Sequence, residues 1–258
     1  MLSVAQNKMQ ALNATTRVIP FGQELNPETY ATCCSDMILK GNTNSRIVLG
    51  NSFNEDGFQG QTFDYMLSNP PFGVEWKKVE KFIKDEAKNK GYSGRFGAGL
   101  PRISDGSFLF LQHLISKMNA PENGGSRIGI VFNGSPMFSG DAGSGESEIR
   151  RWIIENDLLE AIIGLPDQLF YNTGITTYIC ILTNRKENRR KGKVRLINGA
   201  GFYEKMRKGL GNKRNMVSSE NRAEIVRLYS TYEPDENYMD LDSDDFGYRK
   251  IVVERPPL

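Results

Sequence analysis

Short apolar runs alternate with helix-phased segments along most of this chain, and that alternation restricts the fold more than any other feature. Residues 2–12 place apolar side chains at Leu2, Ala5, Met9 and Leu12, the spacing of one helix face. Residues 17–23 form a short apolar run that predicts a buried strand. Residues 27–40 predict a helix, with Asn26 as its cap, Pro27 at its first position and Gly41 just past its end. Strands are predicted over 46–50 and 63–67, the second stopping at Ser68-Asn69-Pro70-Pro71-Phe72. A helix over 107–119, a continuous apolar strand over 127–132, a helix over 146–156, a strand over 158–165 and a last helix over 218–232 follow. This spacing predicts an α/β fold with a doubly wound, mostly parallel sheet. Residues 175–183 and 193–198 predict an antiparallel C-terminal strand pair joined by the basic segment 184–192. A single domain is expected over 1–232. Residues 233–258, with the acidic cluster 240–245 and Arg255-Pro256-Pro257-Leu258, predict a weakly structured extension.

Composition narrows the class without naming a function. The 258 residues are 38% hydrophobic, enough for one full core. A formal net charge of +2 neither demands nor excludes a nucleic-acid partner, because patches matter more than totals. Cys33, Cys34 and Cys180 show no metal-site spacing and predict reduced thiols, hence a cytoplasmic protein. No apolar run approaches the ~18 residues of a membrane span, and the first ten residues lack a signal-peptide layout, so no membrane association is expected.

The sharpest chemical signal is Asn69-Pro70-Pro71-Phe72 after a strand. An exocyclic amine on a nucleobase is a poor nucleophile because its lone pair is delocalised into the ring. Acceptors on both of its N–H groups localise that lone pair and aim it. The Asn69 side-chain oxygen is one such acceptor and the Pro70 carbonyl the other. Pro70 and Pro71 fix the backbone so that this carbonyl serves neither a helix nor a ladder. Phe72 can stack on a base that has left the duplex. Positioning and electrostatics then supply the catalysis, with no general base needed first. In isolation the tetrapeptide also fits a proline turn ending a strand; the strand before it and the lysine-rich loop after it favour the catalytic reading.

Several further segments follow in fixed order: Phe21-Gly22-Gln23-Glu24-Leu25-Asn26-Pro27-Glu28-Thr29-Tyr30, Asn69-Pro70-Pro71-Phe72-Gly73, Asp105-Gly106-Ser107-Phe108-Leu109-Phe110-Leu111-Gln112-His113, Arg127-Ile128-Gly129-Ile130-Val131, and 165–175 with Leu165-Pro166-Asp167-Gln168-Leu169-Phe170. The ordered set, from about residue 1 to 232, resembles the modification subunits of type I restriction-modification systems, which are adenine-N6 DNA methyltransferases. The resemblance implies a Rossmann-like fold of the S-adenosylmethionine-dependent type. It also implies methyl transfer from S-adenosylmethionine to a flipped adenine in double-stranded DNA. The partners it implies are a specificity subunit, a second modification subunit and a translocating restriction subunit. The family carries an Asp-Pro-x-Cys-Gly-x-Gly-Gly segment just before a helix start like Met1-Leu2-Ser3, and this sequence opens at that helix start. No Gly-x-Gly stands elsewhere at a strand-to-helix junction; 97–99 and 143–145 fall in loops. A sheet without its first strand is therefore expected, with two neighbouring strands short of a partner and weak cofactor binding by the chain alone. An RNA or protein-glutamine methyltransferase and an inactive fragment or assembly scaffold are the competing readings.

For the cofactor, Glu24 at a strand end can accept both ribose hydroxyls, or it is a surface acid beside a helix start. Asn51, with Ser52 beside it, can touch the cofactor adenine or serve as a turn. On the DNA side, Lys77, Lys78, Arg95 and Arg102 are candidate phosphate contacts in the basic stretch after Phe72, which also holds Trp76. Interspersed acids at Glu75, Glu80, Asp85 and Glu86 fit a solvated helix equally well, above all over 84–90. Residues 185–193 read as a solvated hairpin tip, and 205–214 fit either reading. His113, the single histidine, reads as a packing residue.

Overall fold

The computed structural model describes residues 1–42, 44–171, 173–251 and 253. The proline-rich end at 255–258 lies outside the described residues. The chain opens with α1 (Leu2–Leu12), β1 (Phe21–Glu24), α2 (Pro27–Leu39) and β2 (Arg46–Leu49). The cap predicted for α2 is formed: the Asn26 Oδ1 accepts from the Glu28 and Thr29 amides, Pro27 follows it, and Gly41 turns the chain out at φ +74°. β1 and β2 make a two-stranded parallel ladder. β3 (Tyr65–Ser68), α3 (Glu80–Lys90), α4 (Ser107–Ile115), β4 (Arg127–Asn133), α5 (Ser135–Phe138), α6 (Gly145–Glu155), β5 (Leu159–Gly164), β6 (Thr177–Thr183) and β7 (Lys193–Asn198) follow. β8 (Glu204–Leu210) and β9 (Lys213–Met216) form a hairpin, and α7 (Ser219–Ser230) and β10 (Tyr238–Asp242) complete the fold.

The main sheet has six strands in the order β10-β7-β5-β6-β4-β3. Alternate residues of β4 point to opposite faces, so Ile128, Ile130 and Phe132 are buried together against Phe108 and Leu111 of α4 and Ile149 and Ile153 of α6. The other face packs Ile163 and Ile197 on Ile225 and Leu228 of α7. Each such side chain, once buried, stabilises the fold by about 1.5–3 kcal/mol, so both faces commit helices to the sheet.

The structure revises several sequence expectations. β6 and β7 do not pair. β6 inserts antiparallel between β4 and β5, and β7 runs parallel to β5. The C-terminal antiparallel pairings are instead β7 with β10 and β8 with β9. Two apolar strands joined by a short basic segment have the pattern of a hairpin, but the ladder is settled by which edges are free. The segment expected to be weakly structured beyond 232 supplies β10, held where Asp240 meets Arg195 at 2.7 Å. The basic stretch after Phe72, residues 73–105, is largely ordered. Trp76 is buried with Phe53, Ile83, Phe96 and Leu109, its indole donates to the Arg102 carbonyl at 2.9 Å, and α3 lies within the stretch.

Among the described residues β1 pairs only with β2 and β3 only with β4, so each is an edge strand. The rings of Phe21, at the start of β1, and Phe63, just before β3, meet at 5.1 Å. Leu67 on β3 stands about half exposed.

Candidate active site

β3 delivers the motif. Its ladder with β4 ends at Ser68, opposite Ile130, and Pro70 and Pro71 cannot donate to continue it. Asn69 is exposed, Pro70 buried and Phe72 half-buried. Among the described residues, neither the Asn69 amide nor the Pro70 carbonyl is engaged in a hydrogen bond, so both acceptors remain free. Phe72 meets Phe170 edge to face, with ring centroids 6.4 Å apart and planes at 86°. Phe170 belongs to the loop between β5 and β6. Two aromatic rings thus stand beside two unused acceptors at a strand end, an arrangement suited to holding a flat heteroaromatic amine.

The cofactor candidates lie at the carboxyl ends of β1 and β2. Glu24 pairs with Leu49 in the ladder, and its carbonyl accepts from the Gly50 amide at 3.0 Å, which sets Asn51 close by. One Glu24 carboxylate oxygen accepts the Asn26 amide at 2.9 Å; the other makes no hydrogen bond among the described residues. The Asn51 side-chain oxygen accepts from the Phe53 amide at 3.0 Å, a turn-forming role, while its N–H groups make no hydrogen bond among the described residues. Ser52 contributes its carbonyl to Arg95.

An interior ion network fixes this loop. Arg95 binds Glu86 at 2.6 Å, with only 12% and 7% of the two side chains exposed, and also donates to the Ser52 and Phe53 carbonyls at 2.8 and 2.6 Å. Lys117 pairs with Asp56 at 2.6 Å and donates to the Phe58 carbonyl. Burial pushes the Glu86 and Asp56 carboxyls up, but the hydrogen bonds from Arg95 and Lys117 outweigh it and hold both below the usual carboxylate range. Burial, then the charge of Arg95, lowers the His113 imidazole to about 4, so it is neutral and accepts or shares a contact with Arg95 at 3.1 Å.

The sequence profile of the N-6 DNA Methylase family matches residues 1–247. The chain is 27% identical over 233 residues to the type I restriction enzyme MjaIX methylase subunit of Methanocaldococcus jannaschii, covering 90% of this chain and 39% of that protein. It is 31% identical over 179 residues to the HindI methylase subunit of Haemophilus influenzae, covering 69% and 37%. The type I restriction-modification methyltransferase subunit from Streptococcus thermophilus superposes with a TM-score of 0.73 at 27% identity, over 88% of this chain and 45% of that one. The chain belongs to the N-6 DNA Methylase family. It spans about two fifths of the length of the curated relatives it matches.

Within this family member, the DNA-side candidates divide. Lys77 and Lys78 are exposed. Arg102 is half exposed, with its guanidinium near Ser135, Ser139 and, at 3.8 Å, Asp105. Arg95 turns inward, every terminal nitrogen spent on Glu86, two carbonyls and His113, so the structure corrects its reading as a phosphate contact. Trp76 is likewise core, not a DNA ligand. Phe170 is the site residue that the motif alone does not reveal; it sits in the segment 165–175, which carries weight in the sequence only as part of the ordered resemblance. A separate apolar cavity of about 540 Å³, under α4, α6 and α5, includes none of residues 69–72. No helix among the described residues is long and apolar enough to cross a membrane.

Proposed function

We propose that this chain forms the target-base side of an adenine-N6 DNA methyltransferase acting as the modification subunit of a type I restriction-modification system. The observation that carries the reading is the pair of unspent acceptors, Asn69 and Pro70, beside the Phe72–Phe170 ring pair at the end of β3. S-adenosylmethionine, when bound, supplies an electrophilic methyl group. The free Glu24 oxygen and the Asn51 amide N–H groups fit the ribose and adenine end of that cofactor. The Asn69 oxygen and the Pro70 carbonyl each accept one N–H of the target amine, so its lone pair is localised on nitrogen and oriented. Phe72 and Phe170 part to receive the base, whose extrusion costs a few kcal/mol that stacking offsets. After methylation the cationic nitrogen gives up one proton to solvent water at the exposed Asn69 end of the site, the two oxygens only orienting it. Exposed Lys77 and Lys78, with Arg102, hold phosphates near the extruded nucleotide.

The solved relatives and the named methylase subunits support a role within an assembly. Sequence recognition would come from a specificity subunit, with a second modification subunit and a restriction subunit as further partners. The test is transfer of labelled methyl groups to duplex DNA by the assembly that contains this chain. RNA or a glutamine-bearing peptide methylated in preference to duplex DNA would overturn the proposal.

A further inference from the structure

The β8–β9 hairpin carries Lys205, Arg207, Lys208, Lys213 and Arg214 against one carboxylate, Glu204. None of these five cations is ion-paired among the described residues. Other surface cations of this chain do have partners, for example Lys84 with Glu80, Arg189 with Glu187 and Arg227 with Glu224. Like charges crowded on one ribbon repel each other, so the hairpin holds an unbalanced positive field that an external anion would relieve.

An isolated hairpin is marginally stable, yet this one is clamped to the active-site loop. The Asn212 amide donates to the Tyr171 carbonyl at 3.1 Å, and the Arg214 and Asn215 amides to the Gln168 carbonyl at 3.0 and 3.2 Å. The buried Asn215 side chain donates to the Asp167 carbonyl and carboxylate, and the Lys213 ammonium to the Leu169 carbonyl. The return strand is therefore fixed to the loop 167–171, whose Phe170 faces Phe72. Gly211, at φ +62°, makes the tight turn. A register shift between Lys205 and Leu210 bulges the outgoing strand, where Lys205, Arg207 and Lys208 are all exposed.

We infer that the β8–β9 hairpin is a clamp for the phosphate backbone of duplex DNA beside the extruded base. This rests on the DNA-methylation reading above and adds a second basic surface, reached through Phe170, to the one that follows Phe72. Cations anchored to the base pocket fix the register of the backbone and carry no sequence information.

The test is duplex DNA binding by the full chain, read by anisotropy of a fluorescein-labelled duplex between about 0.05 and 0.3 M salt. A triple variant, Lys205→Ala with Arg207→Ala and Lys208→Ala, is expected to lower the slope of log affinity against log salt by about 2–3. At about 0.1 M salt the affinity should fall on the order of a hundredfold. The comparator is Arg189→Ala with Lys191→Ala and Lys193→Ala, at the start-of-β4 end of the sheet, away from Asn69; it should leave the slope within about 0.5. Should the hairpin triple melt early, Lys208→Glu alone, at an exposed bulge position, replaces it. An unchanged slope in the hairpin variant, an equal loss in the comparator, no duplex binding by the wild-type chain, or tighter binding of RNA than of duplex DNA would each overturn the clamp. If the hairpin effect appears but the assembly methylates no DNA, the methylation reading fails and the phosphate surface stands. If the assembly methylates DNA and the slope is unchanged, the clamp fails and the methylation reading stands.

Discussion

Replacing Arg95 by alanine sets the interior role of this side chain against the surface role its sequence context suggests. The guanidinium is 12% exposed and joins the Glu86 carboxylate, the Ser52 and Phe53 carbonyls and the His113 ring. Truncation leaves a buried carboxylate uncompensated and two carbonyls short of a donor. Breaking a buried pair from one side costs about 3–5 kcal/mol. For a domain of this size each kcal/mol moves the melting temperature by roughly 2–4 °C, so a fall of about 6–20 °C is expected. A phosphate-binding arginine on the surface would instead change stability by no more than about 0.5 kcal/mol and lower the salt slope of DNA binding by about 1. The two outcomes are separated by melting the wild type and Arg95→Ala side by side and measuring DNA affinity across salt. A double-mutant cycle with Glu86→Ala should show that most of the loss is shared between the two residues. Melting within about 2 °C of wild type, combined with a reduced salt slope, would refute the interior assignment.

Three further outcomes follow from the same geometry. In the complete enzyme, Asn69→Ala should lower methyl transfer by at least about a hundredfold while leaving DNA binding and melting nearly unchanged, because Asn69 is exposed and makes no hydrogen bond among the described residues; turnover within a few-fold of wild type contradicts its role. Acid should destabilise the chain between about pH 6.5 and pH 4: His113 is held neutral down to about 4 in the folded state, so the unfolded chain binds the extra proton across that window and stability falls as pH falls. The depressed Glu86 and Asp56 carboxyls extend the loss to lower pH, since stability present above their unfolded values disappears as pH falls through the folded ones. Urea midpoints at the two ends of the window, with His113→Gln as the flattened control, measure this. In the complete enzyme, Glu24→Gln should weaken S-adenosylmethionine binding by roughly tenfold or more, because the Glu24 oxygen left without a hydrogen bond among the described residues is the proposed ribose acceptor; an unchanged Kd by calorimetry would reject that.

What could be read in advance followed the range of the interactions involved. The α2 cap, the apolar run of β4 and the halt of β3 at two prolines are local, set by neighbours within a few residues, and each is legible in the sequence. Pairing across the sheet is not. Nothing in residues 175–198 says that β6 will insert between β4 and β5, because free edges exist only after the rest of the sheet has formed. The aromatic pair at the site is equally remote, since Phe72 and Phe170 meet only through the β3–β4–β6 ladders and the loop that precedes β6.

The charges give the clearest case. By composition, Arg95 and Lys208 are alike: each is a cation in a basic stretch near a glycine. Glu86, on α3, reaches Arg95 once Gly91 and the turn after it fold the chain back, and the arginine becomes part of the core. No carboxylate reaches Lys208 among the described residues, and the hairpin that carries it is bound by its backbone to the loop of Phe170. A basic segment therefore offers charge to an outside anion only through the cations that the fold leaves unpaired. Counting lysines and arginines cannot make that distinction, since a nearby acid in sequence leaves Lys84 paired, while one brought back by a turn removes Arg95 from the surface altogether.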